Sequence, residues 1–297
     1  MTQAKPEFSI VLPARNEAPA LQGLLPVLRD RFPQAQIVVV NDGSTDDTSA
    51  VCARHGVEEV RHHYSVGNGG AIKSGARAAR GPVIVFMDAD GQHDPADIPR
   101  LLARIDQGFD MAVGARGNGS QASVGRSLAN RVYNRLATYM TGQRIDDLTS
   151  GFRAVRAERF REFLFLLPNG FSYPTSITMA FFRAGYGVAY EPIVAARRIG
   201  RSHIRPLRDG ARFLLIIFKL ATLYAPLKIF APLAGLGFLA GVANYAYTFT
   251  HSGRFTNATA VLLTTSVVVF LMGLISEQIT TLLYAAASRD RRRTDAP

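Results

Sequence analysis

The stretch PVIVFMDADGQHDPADIP, residues 82–99, joins an apolar run to the densest acidic cluster of the chain. The run is rich in β-branched and aromatic residues, which favours a buried β-strand. Asp88 and Asp90 follow it directly, one residue apart. Asp94 then precedes Pro95, a pair typical of a helix that begins with an N-cap and a proline in its first turn. The stretch therefore predicts a strand, a polar loop and a helix.

The neighbouring segments repeat this pattern. Strands are predicted in FSIVLPA, QIVVVNDGS, PVIVFMDAD and DMAVGAR. Helices are predicted in APALQGLLPVLRDRF, TDDTSAVCARHG, GGAIKSGARAARG and DPADIPRLLARIDQGF. Continuous apolar strands that alternate with helices indicate a mostly parallel sheet covered on both faces. Such sheets bind ligands at the carboxyl ends of their strands, where the polar clusters PARNE, NDGSTDD, DADGQHD and GARGNG all lie.

Asp88 and Asp90 suit two kinds of function. Two carboxylates at this spacing can share Mg²⁺ or Mn²⁺, which prefer oxygen ligands and often bridge to substrate phosphates, and Gln92 can add a carbonyl oxygen. Aspartates also form turns and cap helices for purely structural reasons. His93 is assigned no role. The segment GNGGAIKSG matches neither the P-loop nor the dinucleotide fingerprint, because an isoleucine precedes its lysine and the third glycine of the fingerprint is missing.

The composition indicates an anionic partner. The chain has 297 residues, with 34 Lys and Arg against 23 Asp and Glu, for a net charge of +11. An excess of this size suits phosphorylated metabolites, a membrane surface or nucleic acid. Nucleic acid is the weakest of these, because no basic patch is interleaved with aromatic residues and no nucleic-acid motif is present. Cys52 is the single cysteine, so no intrachain disulfide can form.

The C-terminal third carries two long segments without Asp, Glu, Lys or Arg. They lie between Lys228 and Arg254 and between Arg254 and Glu277. Each meets the roughly 20 residues that a bilayer-spanning helix needs. The Gly, Ala, Ser and Thr residues scattered through both favour membrane spans over a pair of buried core helices. We expect transmembrane helices over about 228–250 and 258–284.

Basic residues around these segments predict their orientation. In the segment 206–226, Arg208, Arg212 and Lys219 form a basic stripe on a mostly apolar helix, which favours a helix in the membrane interface over one packed on the domain. The tail 289–297 is basic, whereas the loop between the spans has one arginine. The positive-inside rule then places both chain ends in the cytoplasm. The N-terminus lacks the basic and apolar regions of a signal peptide.

Several motifs occur in the order found in family 2 glycosyltransferases. They are IVLPARNE, VVVNDGSTDDT, GNGGAIKSG, VIVFMDADGQHDPADIP, VGAR, DLTSGFRAVR and RRIGRSH. The chain resembles most closely the polyprenyl-phosphate glycosyltransferases, which include dolichyl-phosphate mannose synthases and bacterial relatives with two C-terminal spans. The motifs lie within residues 8–205, and the paired spans extend the resemblance through the C-terminal third.

The resemblance implies a GT-A fold, a Rossmann-like and mostly parallel α/β domain over residues 1–205. The interfacial helix and a two-helix transmembrane hairpin over 227–288 would follow. It implies inverting transfer of a sugar from a nucleotide diphosphate-sugar to a polyprenyl phosphate at the cytoplasmic membrane, with Mg²⁺ or Mn²⁺ as cofactor. The nucleotide, UDP or GDP, the sugar and the carrier length stay open, and a homo-oligomer is compatible with the resemblance.

The resemblance also implies roles for individual residues. The nucleotide-sugar site would comprise Pro13, Arg15, Glu17, Val40, Asp42, Asp88, Ala89, Arg116, Arg197 and His203. The acceptor phosphate would meet Arg126, Asn130 and Arg131; the metal would be held by Asp88, Asp90 and Gln92; and the catalytic residues would be Asp147, Asp90 and Arg116. Relatives often have Tyr at position 15 and usually Lys at position 203. Asp147 can also be a cap or turn residue.

The implied chemistry needs no strong general base. A phosphate monoester is substantially dianionic at pH 7 and is already a nucleophile. Positioning and neutralisation of charge by a metal and arginines are then the main requirements, and Asp147 would orient the site or tune its charge. Two alternatives stay open. One is a processive polysaccharide synthase, although the chain has no tryptophan for the Q-x-x-R-W motif of those enzymes. The other is a membrane-anchored nucleotide-sugar-binding protein without catalysis.

Overall fold

The computed structural model describes residues 6–116, 124–170, 173–194, 222 and 224–294, with backbone alone for 124–132 and 285–294. The chain forms two compact units, Met1–Ile204 and Arg205–Pro297. The predicted interfacial helix lies outside the described residues except for its last few positions. Arg197 and His203 also lie outside them.

The first unit is built on a seven-stranded sheet. Its strands are β1 (Ser9–Ala14), β2 (Gln36–Asn41), β3 (Glu58–Arg61), β4 (Val83–Phe86), β5 (Met111–Arg116), β6 (Arg153–Arg156) and β7 (Val188–Ile193). Their order in the sheet is β3-β2-β1-β4-β6-β5-β7. Every neighbouring pair is parallel except the two that include β6. The predicted mostly parallel α/β sheet is confirmed.

Strand β6 runs antiparallel between β4 and β5. Its amino end therefore lies at the same edge of the sheet as the carboxyl ends of its two neighbours. The residues just before Arg153 are thereby brought to the edge where the chain leaves Phe86 and Arg116. The sequence pattern had predicted β1, β2, β4 and β5 but not the other three strands. Those strands are short or carry charged residues and proline, which hides the apolar pattern of a strand.

Seven helices of the described chain flank this sheet. They are α1 (Ala18–Arg31), α2 (Thr48–Arg54), α3 (Asn68–Ala78), α4 (Ile98–Asp106), α5 (Val124–Thr141), α6 (Ala157–Arg161) and α7 (Tyr173–Arg183), with short 3₁₀ turns at Pro95–Asp97 and Leu164–Leu166. Leu21, Leu25 and Leu28 recur at helical spacing on α1 and are buried in the core. In α3, a Cβ on Gly75 would come 2.2 Å from Val11 Cγ1, so glycine lets this helix lie close to β1.

The second unit contains two long helices, α8 (Leu227–Ser252) and α9 (Asn257–Thr294). Leu227–Ser252 and Asn257–Tyr284 are long and apolar enough to cross a membrane. Only 11% and 17% of their most apolar stretches are buried, so they are not core helices of a soluble domain. Helix α9 continues to Thr294, so most of the segment predicted as a separate basic tail is helical.

Small residues bring the two long helices together. A Cβ on Gly237 would come 2.6 Å from Ser266 Oγ, and one on Gly273 would come 2.5 Å from Phe230 Cβ. Such close approach gives two apolar helices extensive van der Waals contact. Leu227 N, in the first turn of α8, donates a hydrogen bond to Glu277 of α9 over 3.3 Å. This bond satisfies one of the amide groups that have no partner within their own helix.

Candidate active site

The loop after β2 is organised by Asp42. Ser65 Oγ donates to one of its carboxylate oxygens over 2.7 Å, and His62 Nδ1 lies 2.8 Å from the other. The amide groups of Val66 and Gly67 donate over 2.8 and 2.9 Å. Burial opposes ionisation, but these hydrogen bonds outweigh it and hold the pKa of Asp42 below its usual range. Asp42 therefore fixes the segment that leads into α3.

The loops after β1 and β2 are joined by Asn16. Its side-chain Oδ1 accepts from Thr45 N over 2.8 Å, and its own amide donates to Ser44 Oγ over 3.0 Å. Its φ of 57° lies in the left-handed region, which asparagine tolerates better than most residues. Arg15, the residue before it, is exposed. The sequence predictions had passed over Asn16, although Asn is a common turn residue.

The remaining residues predicted for the nucleotide-sugar site differ in accessibility. Pro13 lies in β1 opposite Val40 of β2, and its surface is partly exposed. Glu17 ends the loop before α1 and is also partly exposed. The side chains of Val40 and Ala89 are buried in the interior. The last two residues can therefore meet a ligand only through their backbone.

The acidic loop after β4 presents Asp88 at the surface. Its side chain is 37% exposed, whereas Asp90 is buried and accepts a hydrogen bond from Gln92 N over 3.2 Å. Asp94 accepts from Ala96 N over 2.8 Å and caps the following turn, with Pro95 at its first position. The predicted division of this stretch into an acidic loop and a helix cap is thus confirmed for its second half.

Gly151 leaves space beside Asp88. A Cβ at this position would come 3.0 Å from Asp88 Oδ2, closer than a carboxylate oxygen comfortably allows. The described residues contain no group of three or more His, Cys, Asp or Glu that could enclose a metal ion. Mg²⁺ and similar ions are often held by one or two carboxylates, with water and substrate phosphates completing the shell. The carboxylates of Asp88 and Asp90 fit that kind of site.

His93 lies behind this acidic loop. It is buried, its ring stacks on Phe152 with centroids 4.9 Å apart, and its Nε2 is 3.5 Å from Asp88 Oδ2. Its Nδ1 is buried and has no hydrogen-bond partner within the described residues. His93 therefore lies on the side of Asp88 that faces the interior of the domain. Its position in the fold could not be read from the sequence, because Phe152 is far from it along the chain.

Asp147 and Arg116 form a bidentate ion pair. Arg116 Nε donates to Asp147 Oδ2 over 2.8 Å, and Arg116 Nη2 donates to Oδ1 over 3.1 Å. The side chain of Asp147 is 7% exposed and that of Arg116 is 28% exposed. Burial opposes ionisation of Asp147, but the hydrogen bonds and positive charge of Arg116 outweigh it and keep its pKa below the usual range. Both residues were predicted for the site, although not as a pair.

Asp147 also shapes its own loop. Its Oδ1 accepts from the amide groups of Thr149 and Ser150 over 2.9 and 3.1 Å, which is the hydrogen-bonding of a turn-forming aspartate. Thr149 Oγ1 in turn accepts from Arg116 Nη2 over 2.6 Å. The two roles that the sequence left open for Asp147, a turn residue and a member of the site, are therefore combined in one side chain.

Arg153 supports the same loop from the interior. It is fully buried at the start of β6, and its guanidinium donates to Ser150 O, to Pro174 O over 3.2 Å and to Thr178 Oγ1 over 3.1 Å. Tyr173 OH donates to Gly151 O over 3.0 Å. Sequence reasoning missed Arg153, because its burial follows from strand β6, which the sequence pattern did not predict; a buried charge is costly unless it is hydrogen-bonded, as this one is.

The backbone of residues 168–169 packs against the glycine-rich start of α3. Gly70 N donates to Asn169 O over 2.9 Å, and Lys73 Nζ donates to Leu167 O over 3.2 Å. A Cβ on Gly69 would come 1.9 Å from Pro168 O. The glycines thus allow a close backbone contact, in agreement with the absence of a phosphate-binding motif in this segment.

The family model described as "Glycosyl transferase family 2" matches residues 9–164, which include every strand up to β6. The chain belongs to glycosyl transferase family 2. A second model, the GtrB C-terminal hairpin, matches residues 225–282, the region of α8 and α9. These matches confirm the predicted family and glycosyltransferase class. With the apolar, largely exposed surfaces of α8 and α9, they identify this family 2 protein as a membrane protein.

Two relatives of this family 2 glycosyltransferase are named after a polyprenol or an undecaprenyl phosphate. A polyprenol monophosphomannose synthase of Mycolicibacterium smegmatis is 29% identical over 71% of this chain and 84% of its own length. An undecaprenyl-phosphate 4-deoxy-4-formamido-L-arabinose transferase of Klebsiella pneumoniae is 32% identical over 50% of this chain and 49% of its own. The chain spans about half the length of several of the curated relatives it matches.

The fold of this family 2 glycosyltransferase is shared with glucosyl-3-phosphoglycerate synthase of Mycobacterium tuberculosis. That enzyme was solved in complex with Mn²⁺, uridine diphosphate and phosphoglyceric acid. The two chains superpose with a TM-score of 0.58 at 23% identity, over 72% of this chain and 76% of the other. The likeness confirms the predicted GT-A type of fold.

Proposed function

We propose that this family 2 glycosyltransferase transfers a sugar from a nucleotide diphosphate-sugar to a polyprenyl phosphate, with inversion at the anomeric carbon. One observation carries the proposal: a family 2 domain and a GtrB-type apolar hairpin occur in one chain. The hairpin would hold the enzyme at the membrane, where a long isoprenoid phosphate resides. The names of the mycobacterial and Klebsiella relatives support this class of acceptor.

The donor diphosphate is proposed to bind over the acidic loop after β4. Asp88 and Asp90 would hold Mg²⁺ or Mn²⁺, and Gln92 would add an oxygen ligand. When bound, the ion would neutralise charge on the departing diphosphate. The exposed carboxylate of Asp88 and the space left by Gly151 support this assignment. The Mn²⁺ and uridine diphosphate bound by the structural neighbour support it as well.

The nucleoside is proposed to lie against the loops that follow β1 and β2. Arg15 is exposed there and can contact the base, beside the partly exposed Pro13 and Glu17. Asp42 would act mainly by holding the loop 62–67, because His62, Ser65 and two backbone amide groups occupy its carboxylate. Val40 and Ala89 would contribute backbone atoms alone.

Arg116 is proposed to face the donor phosphates. Asp147 and Thr149 hold its Nε and Nη2, which fixes the plane of the guanidinium before a substrate arrives. A charge that is already oriented stabilises the transition state without a cost for reorganisation. Asp147 is then a positioning residue for Arg116 rather than a base, since both of its oxygens accept hydrogen bonds from the protein.

The acceptor phosphate is proposed to bind Arg126, Asn130 and Arg131 of α5. Its dianionic oxygen attacks the anomeric carbon as the bond from that carbon to the diphosphate breaks. No proton has to leave the acceptor, so no general base is needed. The bond forms on the face opposite the leaving group, which inverts the configuration. Arg197 and His203 are proposed as further contacts to the donor phosphates.

The membrane orientation is also a proposal. Basic residues flank the two spans at their outer ends, and a single arginine lies in the loop that joins them. The positive-inside rule then supports a multi-pass protein of the cytoplasmic membrane, with the catalytic domain and both chain ends in the cytoplasm. Nucleotide-sugars in the cytoplasm would reach the site without crossing the bilayer.

A donor panel tests the proposed function. The full chain, purified in detergent, would receive polyprenyl phosphate and labelled UDP- or GDP-sugars, with MgCl₂, MnCl₂ or a chelator. We expect one donor to yield a monoglycosylated lipid with inverted anomeric configuration, and Asp90→Ala to abolish it. Asp94→Asn is the matched control, because asparagine caps helices as well as aspartate does. A long polymer, or donor binding without turnover, would contradict the proposal.

A further inference from the structure

Asn134 of α5 holds the backbone on both sides of Asp147. Its Nδ2 donates to Asp146 O over 2.7 Å, and its Oδ1 accepts from Leu148 N over 3.2 Å. A single planar amide thereby fixes the peptide groups before and after the aspartate. Neither bond is a helix-internal bond of α5, so the side chain joins two segments that are distant in the chain.

Thr138 extends the same contact by one helical turn. Its Oγ1 accepts a hydrogen bond from Ile145 N over 3.3 Å. Residues four positions apart lie on one face of a helix, so Asn134 and Thr138 form a single polar stripe of α5 that faces residues 145–148. The segment before β6 is therefore attached to α5 through side chains rather than through regular backbone pairing.

The attachment continues to the carboxyl end of β5. Asp147, held between the two bonds of Asn134, makes its bidentate pair with Arg116. Hydrogen bonds and the backbone around Asp147 thus connect α5 to Arg116. Asn130, predicted to contact the acceptor phosphate, precedes Asn134 by four positions on the same helix, and Arg126 precedes it by eight.

We propose that Asn134 is a positioning residue that sets helix α5, and the acceptor phosphate bound to it, against the Asp147–Arg116 pair. The inference rests on the proposed function. A displacement in which the nucleophile attacks without a general base depends strongly on the alignment of its reactants. Asn134 supplies that alignment by joining the helix proposed for the acceptor to the arginine proposed for the donor, without touching either substrate.

Two variants of the full chain test this role. Asn134→Leu removes both bonds and keeps the branching of the side chain at Cγ. Asn134→Asp keeps an acceptor for Leu148 N but places a carboxylate oxygen against Asp146 O. For either variant we expect kcat/KM for polyprenyl phosphate to fall about tenfold, the change that corresponds to loss of one or two hydrogen bonds. The KM for the nucleotide-sugar should change less, because the loops after β1, β2 and β4 are not touched and the side chains of Arg116 and Asp147 keep their own bidentate pair.

Thr138→Val is the matched control. It removes one bond to the same segment, at Ile145, without releasing the peptide groups beside Asp147. We expect about a twofold loss in kcat/KM for the acceptor, with a drop in Tm similar to that of Asn134→Asp, since each variant weakens contacts of α5 with one segment. A positioning role for Asn134 requires a larger loss of kcat/KM for the acceptor in Asn134→Asp than in Thr138→Val. The drop in Tm should be similar in the two variants.

The outcomes distinguish the two hypotheses. A wild-type protein that makes no glycolipid from any donor overturns the proposed function. An active wild type whose Asn134 variants keep the acceptor kinetics overturns the inference alone. Equal loss for donor and acceptor, in proportion to the loss of Tm, also overturns it, because that result indicates general destabilisation. If Asn134→Leu fails to fold, the nearly isosteric Asn134→Asp decides the question.

Discussion

The loops 88–93 and 146–151 meet at the same edge of the sheet and each contains an aspartate predicted for the site. In the first loop, Asp88 leaves 37% of its side chain exposed and adjoins the bare backbone of Gly151. In the second, Asp147 is 7% exposed and both of its oxygens accept hydrogen bonds from the protein. One carboxylate is partly open to solvent, and the other is almost enclosed by the protein and its hydrogen-bond donors.

This difference suits Asp88 to ligand binding and Asp147 to the positioning of Arg116. A carboxylate has about four acceptor sites, and a buried one is stable only when donors occupy them. Asp147 meets this condition internally, so its removal should disturb folding and the orientation of Arg116 together. Asp88 leaves 37% of its side chain exposed to solvent, so its removal should affect ligand binding more than stability. Substitution of either acid should therefore lower activity, but only substitution of Asp147 should clearly lower stability.

Among the variants that test this comparison, the largest effect is expected for Asp88→Asn. The substitution removes a charged ligand from the proposed metal and diphosphate site but preserves the size of the side chain. We expect glycolipid formation to fall about 10²- to 10³-fold, the loss typical of removing one group that stabilises transition-state charge. The Tm of the detergent-solubilised protein should change by less than about 2 °C, since the group is partly exposed. A large drop in Tm would remove the contrast with Asp147.

Asp147→Asn should act on stability as well as activity. It would leave the partly buried Arg116 without its counter-ion, and breaking such a pair costs about 3 kcal/mol. We expect a clear decrease in Tm at pH 7 and a loss of activity of about 100-fold, as Arg116 loses its fixed orientation. Thermal unfolding and turnover of the same preparations provide the measurements. An unchanged Tm would show that the internal hydrogen bonds of Asp147 are not stabilising.

The stability difference between wild type and Asp147→Asn should depend on pH. The pKa of Asp147 is lower in the folded state than its ordinary value of 3.8, so the ionised form favours folding. Its contribution is fully present above that value and is lost as the pH falls through the lower folded-state pKa. Thermal unfolding from pH 7 down to pH 3 should therefore show the two Tm values converging at the acid end. A constant gap would contradict the predicted role of the ionised carboxylate.

Gly151→Ala is expected to have an intermediate effect. The new Cβ would lie 3.0 and 3.3 Å from the two carboxylate oxygens of Asp88, so the carboxylate has to move. We expect the Mn²⁺ concentration for half-maximal activity to rise about tenfold, the lower end of the range for residues that orient a metal ligand. Gly23→Ala in α1 is the control, because its Cβ would meet no atom within 4 Å. An equal shift in both variants would refute the argument.

The smallest effect is expected for Ser65→Ala. It removes one of the four hydrogen bonds to Asp42 and leaves those of His62, Val66 and Gly67. We expect a loss of about 1 kcal/mol in the free energy of unfolding and a two- to threefold rise in the KM of the nucleotide-sugar. Donor kinetics and chemical unfolding measure the two quantities. A KM that rises more than tenfold would indicate that Ser65 contacts the donor directly.

The fold class could be predicted from the sequence because local patterns of apolar residues mark most of its strands and helices. Strands β1, β2, β4 and β5 are continuous apolar runs, and the helices between them have helical spacing. Strand β6 escaped prediction because four residues with an arginine at each end show no apolar period. Its antiparallel direction depends on pairing with β4 and β5, which no local pattern encodes.

The candidate site was predictable residue by residue but not as an arrangement. Asp88, Arg116 and Asp147 stand in recognisable motifs, and their roles in binding and catalysis stay predictions until tested. The contacts of His93, Asn134 and Arg153 join segments that are far apart in the chain, so no single motif contains them. The bidentate pair between Arg116 and Asp147 likewise joins residues 31 positions apart.

The place of β6 in the sheet has a consequence for synthesis on the ribosome. Strands β4 and β5 emerge first, yet neither pairs with the other, because β6 lies between them. Until Arg156 has left the exit tunnel, the facing edges of β4 and β5 have unsatisfied backbone groups of the kind that promote aggregation. The nascent domain is therefore prone to aggregation while about forty residues are added, from the end of β5 to the end of β6.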